Sequence, residues 1–293
     1  MCQFPELEYS FEYSAVDIGD NIRIAYTDRG NRSAKDVLIF IHGLSSYIPA
    51  WSKLIPRLEE KFRCIAIDLP GYAKSSSGVY SGSMAFYAGV ISKFAEKLNL
   101  NSVSLAGHSM GGQIAITAAL LYPHLINRLV LLAPAGLEVF TEKEIARLMK
   151  NNKARYYASA TDKQIEFNYR INFYEMNKDV EFMIEDRKKM RGWKNFNDYC
   201  EVVASSMKGM LEYPVHGMLS LIKQKTIIIF GLNDQFIPQP VLHNKMTVKE
   251  IAEQGAGLIP HCRLVLIDKC GHFVQYEKDE ETAVEIIKFF EEK

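Results

Sequence analysis

The chain has 293 residues, 48% hydrophobic and 24% charged, which is ordinary for a soluble globular protein and long enough for one domain with an insertion or for two domains. Its 35 basic and 35 acidic side chains cancel, and no long run of like charge interrupts them, so no nucleic-acid surface or charged tail is expected. No apolar segment approaches the length of a bilayer span, which argues against stable membrane anchoring. Residues 1–8 lack the basic and apolar regions of an export signal, and the five cysteines (2, 64, 200, 262 and 270) contain no C-x-x-C. The expectation is a cytoplasmic protein with free thiols.

In chain order, residues 9–18 and 21–28 read as two strands joined by a tight turn at Gly19-Asp20, an antiparallel edge hairpin. Apolar runs follow at 37–41, 62–67, 102–106 and 129–133, with helical patterns at 51–61 and 84–98 and a helix after Ser109. Two further apolar runs lie at 226–230 and 263–267, and an amphipathic helix starts near Glu280. Near-continuous apolar strands alternating with helices predict a mostly parallel sheet covered on both faces. Between Gly136 and Thr226 that rhythm breaks. The segment holds no clear core strand, but it carries seven of the eleven methionines and twelve aromatic residues. Such residues can form the core of a helical subdomain, and they also suit an adaptable apolar binding wall. The expected division is a core of residues 1–136 and 226–293, with 137–225 as a helical lid over Ser109.

Gly107-His108-Ser109-Met110-Gly111 is a G-x-S-x-G sequence between an apolar strand and a helix stopped by Pro123. In that setting the motif reads as a nucleophile elbow, which lifts the Ser109 hydroxyl out at the C-terminal edge of a sheet. The helix that follows aims free N–H groups and its positive dipole end at charge developing there. A serine is a weak nucleophile alone, and an elbow serine takes its acid and then its base from later in the chain. Asp234 lies just past the run at 226–230, and His272 just past the run at 263–267, so all three reach one sheet edge. His272 is the candidate general base and Asp234 the group that orients it. Asp268 is a rival acid, read as a local partner on the His272 turn, and Asp68 is expected to tie the Pro70-Gly71 loop.

Among the other histidines, His108 is expected to point away from Ser109 into the packing beneath the elbow. His124, His243 and His261 are read as solvated, and His216 as structural. Acyl transfer also needs donors for the oxyanion: the backbone N–H of Met110, and that of Leu44 in the His42-Gly43-Leu44 loop. No His, Cys, Asp or Glu cluster has metal-ligand spacing, and the glycine turn lacks a P-loop lysine and the G-x-G-x-x-G fingerprint. No metal or cofactor is expected.

As a set, His42-Gly43, Gly107-His108-Ser109-Met110-Gly111-Gly112, Gly231-Leu232-Asn233-Asp234 and Gly271-His272 resemble the α/β-hydrolase superfamily. The resemblance covers nearly the whole chain and implies a mostly parallel eight-stranded sheet with helices on both faces and a helical lid insertion. Residues 68–75 are similar to that family's D-x-x-G-x-G-x-S loop, with Ala73 at the second glycine. Within that superfamily Gly107-His108-Ser109-Met110-Gly111-Gly112 is similar to monoacylglycerol-lipase-like and carboxylesterase members, which implies a small-molecule ester as substrate. Meta-cleavage C–C hydrolases resemble the chain as well, although they carry asparagine before the serine and tryptophan after the histidine, where this chain has His108 and Phe273. A binding protein that keeps the fold and triad without turnover is the third reading.

Overall fold

The computed structural model describes residue 7 and residues 9–292. The apolar runs become strands β1 (Ser14–Asp17), β2 (Arg23–Gly30), β3 (Val37–Ile41), β4 (Arg63–Ile67), β5 (Val103–His108), β6 (Ile126–Leu132), β7 (Lys225–Gly231) and β8 (Cys262–Ile267). They form an eight-stranded sheet in the order β1-β2-β4-β3-β5-β6-β7-β8. The β1–β2 and β2–β4 pairs are antiparallel, and every other pair is parallel. The edge hairpin forms as expected, but β1 is shorter than the pattern at 9–18. Tyr9 instead spends its hydroxyl on the Asp68 carboxylate and sets its ring edge-on against Tyr47.

The helices are α1 (Leu54–Leu58), α2 (Met84–Lys97), α3 (Met110–Leu121), α4 (Glu142–Met149), α5 (Ala154–Ala158), α6 (Asp162–Arg170), α7 (Glu181–Lys189), α8 (Phe196–Glu212), α9 (Val248–Leu258), α10 (Val274–Glu277) and α11 (Asp279–Glu291). The single helix expected at 51–61 is split into a 3-10 turn at Ile48–Trp51 and the short α1, because Pro49 and Pro56 cannot donate to a continuous ladder. Helix α3 is apolar all round and buried from Met110 to Ile116, as its place between the sheet and α2 requires. Its approach depends on Gly111, where an added Cβ would lie 2.0 Å from the Ile41 carbonyl oxygen.

Helices α4 to α8 fall between β6 and β7, where the strand rhythm breaks. Their interior is continuous with the main core through Phe173, Met183, Trp193, Tyr199 and Val203. Helix α8 is the anchor. Its buried Ser206 meets the Tyr72 and Tyr87 hydroxyls at 3.0 and 2.9 Å, and its Gly209 lies against the Gly82 backbone. Cys64, Cys200, Cys262 and Cys270 are free thiols, whereas Cys2 lies outside the described residues. Among the described residues no helix is long and apolar enough to cross a membrane.

Two loops at the carboxyl edge of the sheet are tied by side chains. Asp68, past β4, accepts from the backbone N–H groups of Ile48 and Lys74 at 2.8 and 3.0 Å, so it ties its own loop as expected. His42, past β3, is fully buried; Nδ1–H donates to the Gly43 carbonyl at 2.8 Å and Nε2 accepts the Leu69 N–H at 3.0 Å. Burial lowers its pKa from 6.5 to about 4. The unfolded chain therefore binds a proton at this residue between those values and the folded chain does not. Stability from this group is complete above pH 6.5 and falls as the pH drops toward 4, by up to about 3 kcal/mol. In urea titrations at pH 7 and pH 5, His42→Gln should lose stability at pH 7 and show a shallower decline toward pH 5 than wild type. An unchanged decline would mean that His42 does not carry the acid sensitivity.

Candidate active site

The strand β5, the sharp turn at Ser109 and helix α3 are adjacent in sequence, so the serine has no room for ordinary dihedrals. Ser109 sits at φ 54°, ψ −117°, a region that side-chain-bearing residues rarely adopt. The surroundings hold it there: its N–H donates to the Leu132 carbonyl at 3.0 Å, and its carbonyl accepts from Gly112 and Ala135 at 2.9 and 3.0 Å. Strain of this kind persists only where neighbouring structure over-determines it.

Asp234 and His272 come from the loops after β7 and β8, and these loops cross in contact. A Cβ on Gly231 would lie 2.3 Å from the carbonyl oxygens of both Cys270 and Gly271, and the Asn233 N–H donates to Cys270 at 2.9 Å. The result is a buried pair in which His272 Nδ1 lies 2.6 Å from Asp234 Oδ2. The other carboxylate oxygen accepts from the N–H groups of Phe236 and Ile237 at 2.7 and 3.1 Å, so the acid cannot turn away. Asp268, the rival acid, is exposed.

The loop carrying Leu44 runs directly beside the serine. An added Cβ on Gly43 would stand 3.2 Å from Ser109 Cβ and 3.0 Å from His108 Nδ1. Among the described residues no backbone carbonyl accepts the Leu44 or the Met110 N–H. Ser109, His272, Gly43 and Leu44 all face one cavity of about 610 Å3. Ser109 forms no hydrogen bond to the His272 ring in this resting geometry. A hydroxyl, an imidazole buttressed by a carboxylate, and free N–H groups nearby are the parts that acyl transfer uses.

One expectation about histidines is corrected, that for His243. His108 is buried in the packing at the elbow. Its ring centroid lies 4.8 Å from that of His272, and its Nε2–H donates to the His272 carbonyl at 2.9 Å. Burial, with His272 nearby, pushes its pKa well below 6.5, so it stays neutral and acts as a strut. His243 is not solvated. It lies between Glu138 at 2.5 Å and Glu144 at 3.3 Å and stacks on Phe140, which pins the start of α4 to the loop after β7.

Several groups at the site had no sequence signal. The Asn172 carbonyl, just past α6, accepts the His272 N–H at 2.7 Å. Glu277 receives the Gly271 N–H at 2.7 Å and the N–H groups of Tyr174 and Glu175. The inserted helices therefore help to hold the His272 loop. Arg187 lines the cavity and donates to the Tyr157 carbonyl at 2.9 Å, yet its buried Nη1 has no hydrogen-bond partner among the described residues. Of the methionines in the insertion, Met183 and Met190 are core, whereas Met207 and Met210 line the cavity. Among the described residues no group of three His, Cys, Asp or Glu side chains is placed to hold a metal ion.

The family model described as alpha/beta hydrolase fold matches residues 36–279. The chain is 26% identical over 279 residues to a monoacylglycerol lipase of Homo sapiens, covering 92% of this chain and 80% of that protein. It is 25% identical over 275 residues to the 2-hydroxy-6-oxononadienedioate/2-hydroxy-6-oxononatrienedioate hydrolase of Escherichia coli K12, covering 89% and 88% of the two chains. In three dimensions it is similar to a probable hydrolytic enzyme from Pseudomonas aeruginosa, with a TM-score of 0.87, 23% identity, and 97% and 96% of the chains covered. With the family model spanning most of its length, the chain belongs to the alpha/beta hydrolase fold family.

Proposed function

We propose that the protein is a serine hydrolase that cleaves a carboxylic ester with an apolar acyl group through an acyl-enzyme. The observation that carries this reading is that Ser109, on its strained turn, and His272, locked to Asp234, open onto one cavity walled by aromatic residues and methionines. Ser109 Oγ attacks the ester carbonyl carbon while His272 Nε2 takes its proton. The N–H groups of Leu44 and Met110 receive the oxyanion. Collapse of the tetrahedral adduct breaks the bond to the alcohol, which leaves with the proton from His272. Water, activated by the same imidazole, then releases the acid and restores Ser109. Asp234 holds the ring tautomer and stabilises the imidazolium. Helices α4 to α8 act as the lid over this cavity, and the enzyme works in the cytoplasm, where its free thiols stay reduced.

Initial rates on p-nitrophenyl esters of increasing acyl length test the reading. Wild type should prefer chains longer than acetate, and Ser109→Ala should lose turnover while keeping its fold by circular dichroism. Undiminished turnover in that variant would remove Ser109 from the mechanism. Asp234→Asn should lower kcat by about 10⁴, by the loss of the productive His272 tautomer. A rate near wild type would transfer the orienting role to another acid.

The unpartnered Nη1 of Arg187 favours a second reading, in which the substrate carries a carboxylate. One relative is named for a dioate, a doubly carboxylated compound. If Arg187 meets such a group, Arg187→Met should raise KM about tenfold or more for a p-nitrophenyl ester of a dicarboxylic acid and leave the neutral ester of equal length unaffected. Equal losses on both esters would assign Arg187 to packing against Phe196 and Tyr199.

A further inference from the structure

The zero net charge of the chain conceals a local excess. From the second residue of α4 into α5 lie Lys143, Arg147, Lys150, Lys153 and Arg155, all exposed, and among the described residues none of them forms an ion pair. Lys143, Arg147 and Lys150 are spaced i, i+4, i+7 and form one stripe along α4. The opposite side carries Ile145 and Leu148, which line the cavity. Of the two acids in this helix, both in its first turn, Glu144 is held by Thr141 and His243.

The segment that carries these cations also reaches the cavity mouth, where Tyr156 follows Arg155. Val139, Tyr156 and Phe236 both line the cavity and are 55%, 58% and 37% exposed, so they mark where it opens. Val241, on the His243 loop, adds another apolar side chain at 60% exposure. An apolar mouth beside unpaired cations matches an anionic bilayer, which offers negative headgroups at its surface and acyl chains just beneath. A nucleic acid would satisfy the cations but leave the apolar rim without a partner.

We propose that the α4–α5 segment docks the protein reversibly on anionic lipid membranes, with the cavity mouth turned toward the bilayer. The attraction is peripheral and electrostatic, and it complements the absence of a membrane-spanning helix among the described residues. It rests on the reading that an apolar acyl group enters this cavity, but docking itself requires no turnover.

The test is co-sedimentation of the full-length Ser109→Ala protein with vesicles of pure phosphatidylcholine and of equimolar phosphatidylcholine and phosphatidylserine. Binding is expected only to the anionic vesicles, and it should weaken with added salt. The triple variant Lys143→Gln, Arg147→Gln, Lys150→Gln should reduce partitioning by roughly a hundredfold. A control triple, Lys35→Gln, Lys97→Gln, Lys223→Gln, removes the same charge from exposed unpaired lysines at the opposite edge of the sheet and should bind like the parent. With Ser109 present, the α4 triple should hydrolyse a soluble short-chain ester at the wild-type rate. No binding to anionic vesicles, equal binding to neutral ones, or equal losses in the two triples would overturn the proposal. Retention on single-stranded RNA without vesicle binding would overturn it as well, in favour of a nucleic-acid partner. Failure of ester hydrolysis with docking intact would instead discard the reaction alone.

Discussion

The site depends on one close approach of backbone to backbone, where the start of helix α3 rests on the end of strand β3. Gly111 meets the Ile41 carbonyl with no space for a methyl group, and Gly107 likewise meets the backbone of Gly111 and Gly112. This contact leaves Ser109 only the strained conformation in which it stands clear of the sheet. It also brings the loop after β3 against the serine, so that Gly43 abuts Ser109 and Leu44 lines the same cavity. A larger residue at Gly111 would displace Ser109 and the loop together. The free N–H groups and the hydroxyl are thus positioned by one packing constraint.

His272 is positioned by different means. Its side chain is fixed from the core by Asp234, but its backbone is fixed from the insertion by Asn172 and, through Glu277, by the segment at Tyr174. Movement of α6 relative to the sheet would therefore reach the imidazole directly. Helix α8 limits such movement, since Ser206 is clamped by two buried tyrosines and Gly209 by the Gly82 backbone. Helix α4 has no buried residue; the His243 bridge holds its start, and Asn152, which donates to the Met149 sulfur and to the Ala204 carbonyl of α8, holds its end. The insertion combines a buried wall, α8, with a more exposed helix, α4.

The sheet, the elbow and the Asp234–His272 pair were legible because each is specified locally. An apolar run reads as a buried strand, and residues just past such runs must gather at one edge of a parallel sheet. What was not legible arises from contacts between segments far apart in the chain. Whether His243 is solvated depends on Glu138 and Glu144, about a hundred residues earlier. What the His108 ring meets depends on where the His272 carbonyl arrives. Asn172 contributes only a backbone carbonyl, which any residue carries, so no side-chain pattern could signal it. The division of the helix expected at 51–61 has a local cause in Pro49 and Pro56, whose missing N–H groups outweigh the apolar pattern there.

Composition is ambiguous in the insertion because single helices serve two purposes at once. On α8, Val202, Ser206 and Gly209 fall at i, i+4, i+7 and face Gly71, the tyrosine pair and Gly82. Tyr199, Met207 and Met210 fall on the adjoining stripe and face the cavity. Both stripes are apolar or small, so the pattern reads as a buried helix and does not divide core from pocket. The physical distinction lies in what each stripe meets. The first packs closely with no spare volume, whereas the second meets open space with flexible side chains that can adapt to what enters the cavity. Substitutions on the first stripe should therefore act on stability, and those on the second on the choice of substrate.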